Sequence, residues 1–254
     1  GRLEHLGRAD LLLTISESSR QEALGHLTHL GVTAPRCVNV STAADAHFVP
    51  VQLPPQQTQA LRDRLGLQRP FVMYTGGIDV RKNIEGLVRA FAALDATVRD
   101  AHQLAIVCSV QPDSRAALLA LAAQHGLQPG QVVLTGFVPE DDLVALYSLC
   151  KGFVFPSLHE GFGLPALEAM ACGAAVIASG SSSVPEVVGR ADALFDETSD
   201  DAIRTAMQRL LTDDAWRAEL QQHGLQQAQR FSWDATAQRA LSAFEAFYAG
   251  RTAA

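Results

Sequence analysis

The chain has 254 residues, of which 48% are hydrophobic and 19% charged, and 20 basic residues against 27 acidic ones leave a formal charge of −7. At about 150 residues per domain that is one large domain or two small ones, long enough to bury a sizeable core. The acidic balance excludes the broad basic face of a nucleic-acid binder, and four scattered cysteines (Cys37, Cys108, Cys150, Cys172) without a CxxC exclude a disulfide framework or zinc site in favour of reduced core thiols.

Residues 1–15 lack the basic and apolar succession of a secretory signal, and the longest near-apolar stretch, 169–178, is far short of the roughly 20 residues that span a bilayer. A soluble, cytoplasmic protein is expected. An apolar strand at 10–15 leads to Ser16, placed as an N-cap, then to a helix over 17–30 and a short strand near 37–40. Residues 41–57 hold three of the 11 prolines and little periodicity, the composition of a linker.

From 57 to 198 the pattern alternates. Continuous apolar runs at 71–75, 104–108, 132–135, 153–155 and 175–178 read as strands covered on both faces. Ile84, Leu87, Val88, Phe91 and Leu94 share one helical face, and 140–149 repeats that spacing. Such alternation predicts a doubly wound α/β domain. After 199 the chain reads as three helices, 200–211, 213–230 and 232–248, the last with Trp233, Leu241, Phe244 and Tyr248 on an apolar side.

Four loops follow strands, and open α/β sheets bind ligands at the carboxyl ends of their strands. The sharpest is His159-Glu160-Gly161-Phe162-Gly163-Leu164-Pro165-Ala166-Leu167-Glu168. Its glycines admit a close ligand, and Pro165 suits a first helical turn, so a helix begins near Leu164 with amides and dipole favouring an anion. Glu160 and Glu168 bracket that place. They suit hydroxyls of a sugar on one side and of a ribose on the other. The same residues also read as a plain turn with a solvated glutamate. The second loop, Thr75-Gly76-Gly77-Ile78-Asp79-Val80-Arg81-Lys82-Asn83, places two cations at an expected helix start, where a bound anion would offset the unfavourable dipole. It is neither a Walker A loop nor GxGxxG, and two solvated basic residues would read alike. The third, Ser179 to Glu186, offers small and hydroxyl residues, and the fourth, Thr135 to Pro139, a wall for a flat ring. No histidine pair has metal-ligand spacing, and Ser182 lacks a GxSxG elbow.

At these residues the sequence resembles the retaining glycosyltransferases of the large group 1 family (family 4), which have the GT-B fold. The resemblance lies in Glu-x7-Glu (Glu160 and Glu168), ADLLLTISESSR, YTGGIDVRKNIEGLVRAF, VVLTGFVPEDDLVALYSLC, SSSVPEVVG and the late FSW, in family order along nearly the whole chain. It implies the C-terminal lobe of a GT-B enzyme: an α/β, Rossmann-like, doubly wound parallel sheet with a truncated remnant of the N-terminal lobe. The implied division is 1–40 as remnant of the N-terminal acceptor lobe, 41–57 as linker, 58–231 as nucleotide-sugar-binding domain, and 232–254 as crossover helix and tail.

By the same resemblance Glu160 contacts the donor sugar's hydroxyls and Glu168 the ribose. The backbone of Gly161, Phe162, Gly163 and Leu164 meets sugar and diphosphate, and Lys82 holds the diphosphate beside Gly76 and Gly77. Val138 lies against the base, and the loop with Ser182 borders the cleft. Gly77 stands where the family often has an arginine, and Arg81 is the residue placed to supply that charge. Lys82, Arg81 and the start of the helix would stabilise the departing diphosphate without a metal or other cofactor. The donor is a nucleotide sugar, GDP-mannose favoured, with UDP and dTDP sugars open, and the acceptor is a saccharide or lipid-linked saccharide of bacterial surface polysaccharide synthesis. The missing acceptor lobe is an implied partner, nucleic acid is not, and peripheral association with the inner face of the membrane would run through that lobe. Alternatives are a donor-binding module inactive by itself and a GT-B sugar-nucleotide epimerase or phosphorylase.

Overall fold

The apolar runs become strands of two parallel sheets. The computed structural model describes residues 6–33 and 35–252. Residues 1–5 of the first expected unit and 253–254 of the tail lie outside the described residues. In the first unit β1 (Leu11–Thr14) pairs with β2 (Arg36–Asn39), Leu11 opposite Arg36. They are joined by α1 (Glu17–His29), whose expected cap is present: the Ser16 hydroxyl accepts from the Ser19 N–H. No helix or strand interrupts 41–54. Helix α2 (Pro55–Leu65) begins inside the stretch read as linker, because a proline in the first turn loses no hydrogen bond.

The larger sheet has six parallel strands: β3 (Phe71–Thr75), β4 (Gln103–Val107), β5 (Val132–Leu134), β6 (Gly152–Phe155), β7 (Val176–Ser179) and β8 (Leu194–Phe195). Their order is β5-β4-β3-β6-β7-β8. Five were expected within one or two residues; the two-residue β8 was not. Strands β3, β4, β6 and β7 are buried almost throughout, as their unbroken apolar composition requires.

Helices α3 (Ile84–Ala92), α4 (Ala96–Ala101), α5 (Pro112–Gln124), α6 (Glu140–Leu149), α7 (Leu164–Ala171), α8 (Val184–Val188), α9 (Asp200–Thr212) and α10 (Asp214–Ala228) follow in turn. The expected face of α3 is the buried one, Ile84, Leu87, Val88 and Phe91, and Arg89 on this helix grips Asp200 of α9 at 2.6 Å. Helix α11 (Trp233–Thr252) starts where Ser232 accepts from the Ala235 N–H at 3.1 Å.

The apolar side of α11 is largely exposed. Trp233, Leu241 and Phe244 on its apolar side are 53%, 51% and 46% exposed. The helix instead turns Ala235, Arg239 and the buried Ala243 to a crevice shared with Arg36, Val38 and Asn39 of β2. Small side chains let the helix approach the strand, and Arg239 donates to the Val40 carbonyl at 3.5 Å. All four cysteines are free. No described helix is long and apolar enough to cross a membrane.

Candidate active site

The chain builds β3, β4 and β5 outward in one direction, then returns to lay β6 against the other side of β3, with Val72 opposite Gly152. The connections leaving neighbouring β3 and β6 therefore diverge, which opens a crevice at the carboxyl edge. Both glycine loops flank it.

In the first loop, Tyr74 is fully buried and its hydroxyl donates to the Gly77 carbonyl at 2.7 Å. Gly76 sits at φ +140°, a conformation reserved for glycine. A single 3-10 turn, Val80–Lys82, follows, with Asp79 accepting from the Arg81 N–H. Asn83 then takes a left-handed conformation and anchors to the Glu197 carbonyl at 2.8 Å. Helix α3 begins only at Ile84, so Arg81 and Lys82 precede it rather than opening it.

That turn sends the two cations different ways. Lys82 Nζ lies 2.6 Å from Glu160 Oε1, the side chains only 16% and 11% exposed. Arg81 is 61% exposed and paired with Asp79 at 2.9 Å. Its side chain engages a carboxylate of its own loop, while its carbonyl accepts from the Leu158 N–H at 2.7 Å.

The second loop is held group by group. Ser181 donates to the Leu158 carbonyl at 2.7 Å, Ser183 to the Glu160 carbonyl at 2.9 Å, and the Ser182 hydroxyl accepts from the Glu160 N–H at 2.9 Å. The serine run therefore fixes the loop that bears Glu160. Phe162 is buried edge-to-face on Phe231 at 5.6 Å, so its ring anchors the loop. Gly163, at φ +103°, opens α7 with no side chain to cap it. Leu164 stands 38% exposed at this helix start. In the fourth loop Val138 packs half-buried on the core, between Pro139 and Phe137, which is 81% exposed.

Glu168 lies on the next turn of α7, where the hydroxyl of fully buried Tyr147 donates to it at 3.1 Å. Burial holds this carboxyl above its usual range, against the opposing pull of the Tyr147 hydrogen bond, with Glu140 and Asp45 adding repulsion. The folded chain thus binds the Glu168 proton more tightly than the unfolded one. Ionisation costs stability that is still present below the ordinary pKa of 4.5 and is lost as pH rises through the folded value. Glu168→Gln, which keeps an acceptor for Tyr147, is expected to raise the melting temperature of the ligand-free chain at pH 7. The gain should vanish toward pH 4. Thermal melts across that range check the sign, and a pH-independent difference would refute it.

The structure thus pairs Lys82 with Glu160, with Gly161, Gly163 and Leu164 following in the same loop and helix start, and sets Arg81 apart on Asp79. Sequence reasoning treated Tyr147 as helix core; a tyrosine on an apolar helical face was the available signal, because its buried hydroxyl needs a partner. The seam residues Ser19 and Glu186 were not assigned roles, since their partners lie 142 and 169 residues away. Among the described residues no group of three His, Cys, Asp or Glu side chains could hold a metal ion.

A sequence profile described as "Glycosyl transferases group 1" matches residues 57–228. The chain is 41% identical over 243 residues to "Serotype-specific mannosyltransferase WbdA" of Escherichia coli, covering 96% of this chain and 29% of that protein. It is 34% identical to "O-antigen chain mannosyltransferase B" of Escherichia coli, covering 95% of this chain and 62% of that protein. The chain therefore spans less than two thirds of either relative. Sucrose-phosphate synthase from Thermosynechococcus elongatus superposes with a TM-score of 0.77 at 28% identity, over 98% of this chain and 61% of that one. Anabaena Alr3699/HepE, solved with UDP and glucose, gives 0.81 at 20% identity over 96% of this chain and 66% of that one, a likeness of fold alone. The parallel sheet is that of a GT-B lobe, as the resemblance implied. With the profile covering more than half of the sequence, and with Glu160 in the loop after β6 and Glu168 on the helix that follows it, the chain belongs to the group 1 glycosyltransferases.

Proposed function

We propose that this chain binds the nucleotide-sugar donor of a retaining mannosyltransferase of bacterial surface polysaccharide synthesis. The observation that carries the reading is the Lys82–Glu160 pair, 2.6 Å apart and nearly buried beside the uncapped start of α7. A cation, a carboxylate and a helix start without a side-chain cap, close together at one sheet edge, match a substrate with a diphosphate at one end and hydroxyls at the other. A mannosyl donor is favoured because both named relatives are mannosyltransferases.

An arriving diphosphate competes with Glu160 for Lys82. Its capture leaves Glu160 to accept hydrogen bonds from the sugar. The anomeric C–O bond then breaks with its electron pair passing to the diphosphate oxygen, whose charge Lys82 and the positive end of α7, through the Leu164 N–H, stabilise without reorganisation. The acceptor oxygen bonds from the face just vacated, its proton passing to the departing diphosphate, which retains configuration. Glu168 serves the ribose hydroxyls, Val138 the base, and the backbone of Gly76 and Gly77 borders the diphosphate. Arg81 acts at longer range through the field of its loop.

Calorimetry with GDP, UDP and ADP, followed by turnover of GDP-mannose, tests the reading. Tightest binding of GDP and a product whose linkage retains the donor's configuration by NMR are expected. An inverted linkage overturns the mechanism, and tighter UDP or ADP overturns the donor. A second reading has this portion bind donor while other parts of a longer protein hold the acceptor. It is favoured by the 29% and 62% coverage of the relatives. Full turnover by this chain alone would overturn it.

A further inference from the structure

The loop that carries Glu160 is gripped from two directions. Within its own domain the serine run 181–183 and the Arg81 carbonyl hold it. The other grip comes from the first unit. Ser16, 1% exposed, donates to the Gly161 carbonyl at 2.7 Å, and Ser19 donates to the same oxygen at 2.9 Å. Both hydroxyls stand in the first turn of α1. That turn is itself fixed, because the Glu186 carboxylate accepts from the Glu17 and Ser18 N–H groups at 2.8 and 2.7 Å. The contact is thus reciprocal: a carboxylate from the larger unit caps α1, and two hydroxyls from α1 return to the carbonyl next to Glu160. The two donors fill both lone pairs of one backbone oxygen, one residue from the side chain that pairs with Lys82.

We propose that Ser16 and Ser19 are positioning residues for Glu160, through which the first unit sets the part of the cleft that meets the donor's sugar. The inference rests on the reading above that Glu160 contacts that sugar. The Ser16 and Ser19 hydroxyls donate to the Gly161 carbonyl, whereas Lys82 pairs with Glu160 and Glu168 accepts from Tyr147. Loosening the carbonyl therefore weakens recognition of the sugar while recognition of the nucleoside diphosphate persists. A merely structural role would weaken both alike.

The test is calorimetry on the full chain with GDP and with GDP-mannose. Removal of two hydrogen bonds by Ser16→Ala with Ser19→Ala is expected to weaken GDP-mannose by about tenfold and leave GDP within about twofold. Ser19→Ala alone, which spares the N-cap, is expected to give about a threefold selective loss, and Ser19→Thr to restore it. Equal weakening of both ligands, or of neither, overturns the proposal. Glu160→Gln separates it from its parent reading. If that variant leaves the ratio of the two affinities unchanged, the assignment of Glu160 to the sugar fails. If it collapses the ratio while the serine variants do not, the positioning role alone fails. Absence of GDP-mannose binding by the unaltered chain overturns the donor reading and the proposal with it.

Discussion

Replacing Lys82 by methionine is expected to lower sugar transfer by about 10²–10³-fold, the usual loss when one fixed group facing a developing anion is removed. Lys82 is the cation the fold delivers to the crevice, since Arg81 is turned to Asp79 and mostly exposed. The same change strips Glu160, 11% exposed, of its partner. Breaking a buried pair costs about 3–5 kcal/mol, and partial exposure places this one toward the lower end. A double variant, Lys82→Met with Glu160→Gln, is expected to recover most of that stability and none of the transfer. Thermal melts and single-turnover assays separate the two effects. Transfer at the unaltered rate by Lys82→Met would remove Lys82 from the chemistry.

Gly76→Ala is expected to be the most damaging small substitution in the same loop. A Cβ there would lie 2.6 Å from the Tyr74 hydroxyl, at φ +140°. The backbone strain is worth about 1–3 kcal/mol. Displacing the buried hydroxyl from the Gly77 carbonyl adds about 1–3 kcal/mol. At about 2–4 °C per kcal/mol for a chain of this size, a clear drop in melting temperature follows. Gly77→Ala is the control: its φ is not positive, and a Cβ there comes no closer than 3.3 Å to Asp79. Equal melting temperatures for both variants would show that the Tyr74 contact does not govern the loop.

The strands and the amphipathic α3 were legible because their signals are local: unbroken apolar runs, and spacing at 3.6 residues. The Ser16 cap was legible for the same reason. Helix α5, PDSRAALLALAAQ, buries only Leu118 and Ala122 and alternates too weakly to announce itself. Strand β8 is two residues long and exists through its pairing with β7. The apolar side of α11 was legible as hydrophobicity, but the side that approaches β2 was decided by small residues such as Ala235 and Ala243. The loops of the candidate site were legible as positions and not as geometry. Nothing local in RKN says that the lysine turns inward and the arginine outward; that follows from a 3-10 turn ended by left-handed Asn83.

Two helices begin near Gly161, and they differ in how their positive ends are treated. Helix α1 receives the chain's own carboxylate, Glu186, on its first amides. Helix α7 follows Gly163, whose carbonyl accepts from Ala166 but which brings no side chain and no charge to the helix start. A diphosphate entering this region would otherwise find two attractive berths a few residues apart, one of them unproductive. The internal counter-ion closes the wrong one, so the fold gives an incoming anion a single address before any contact with its sugar is made.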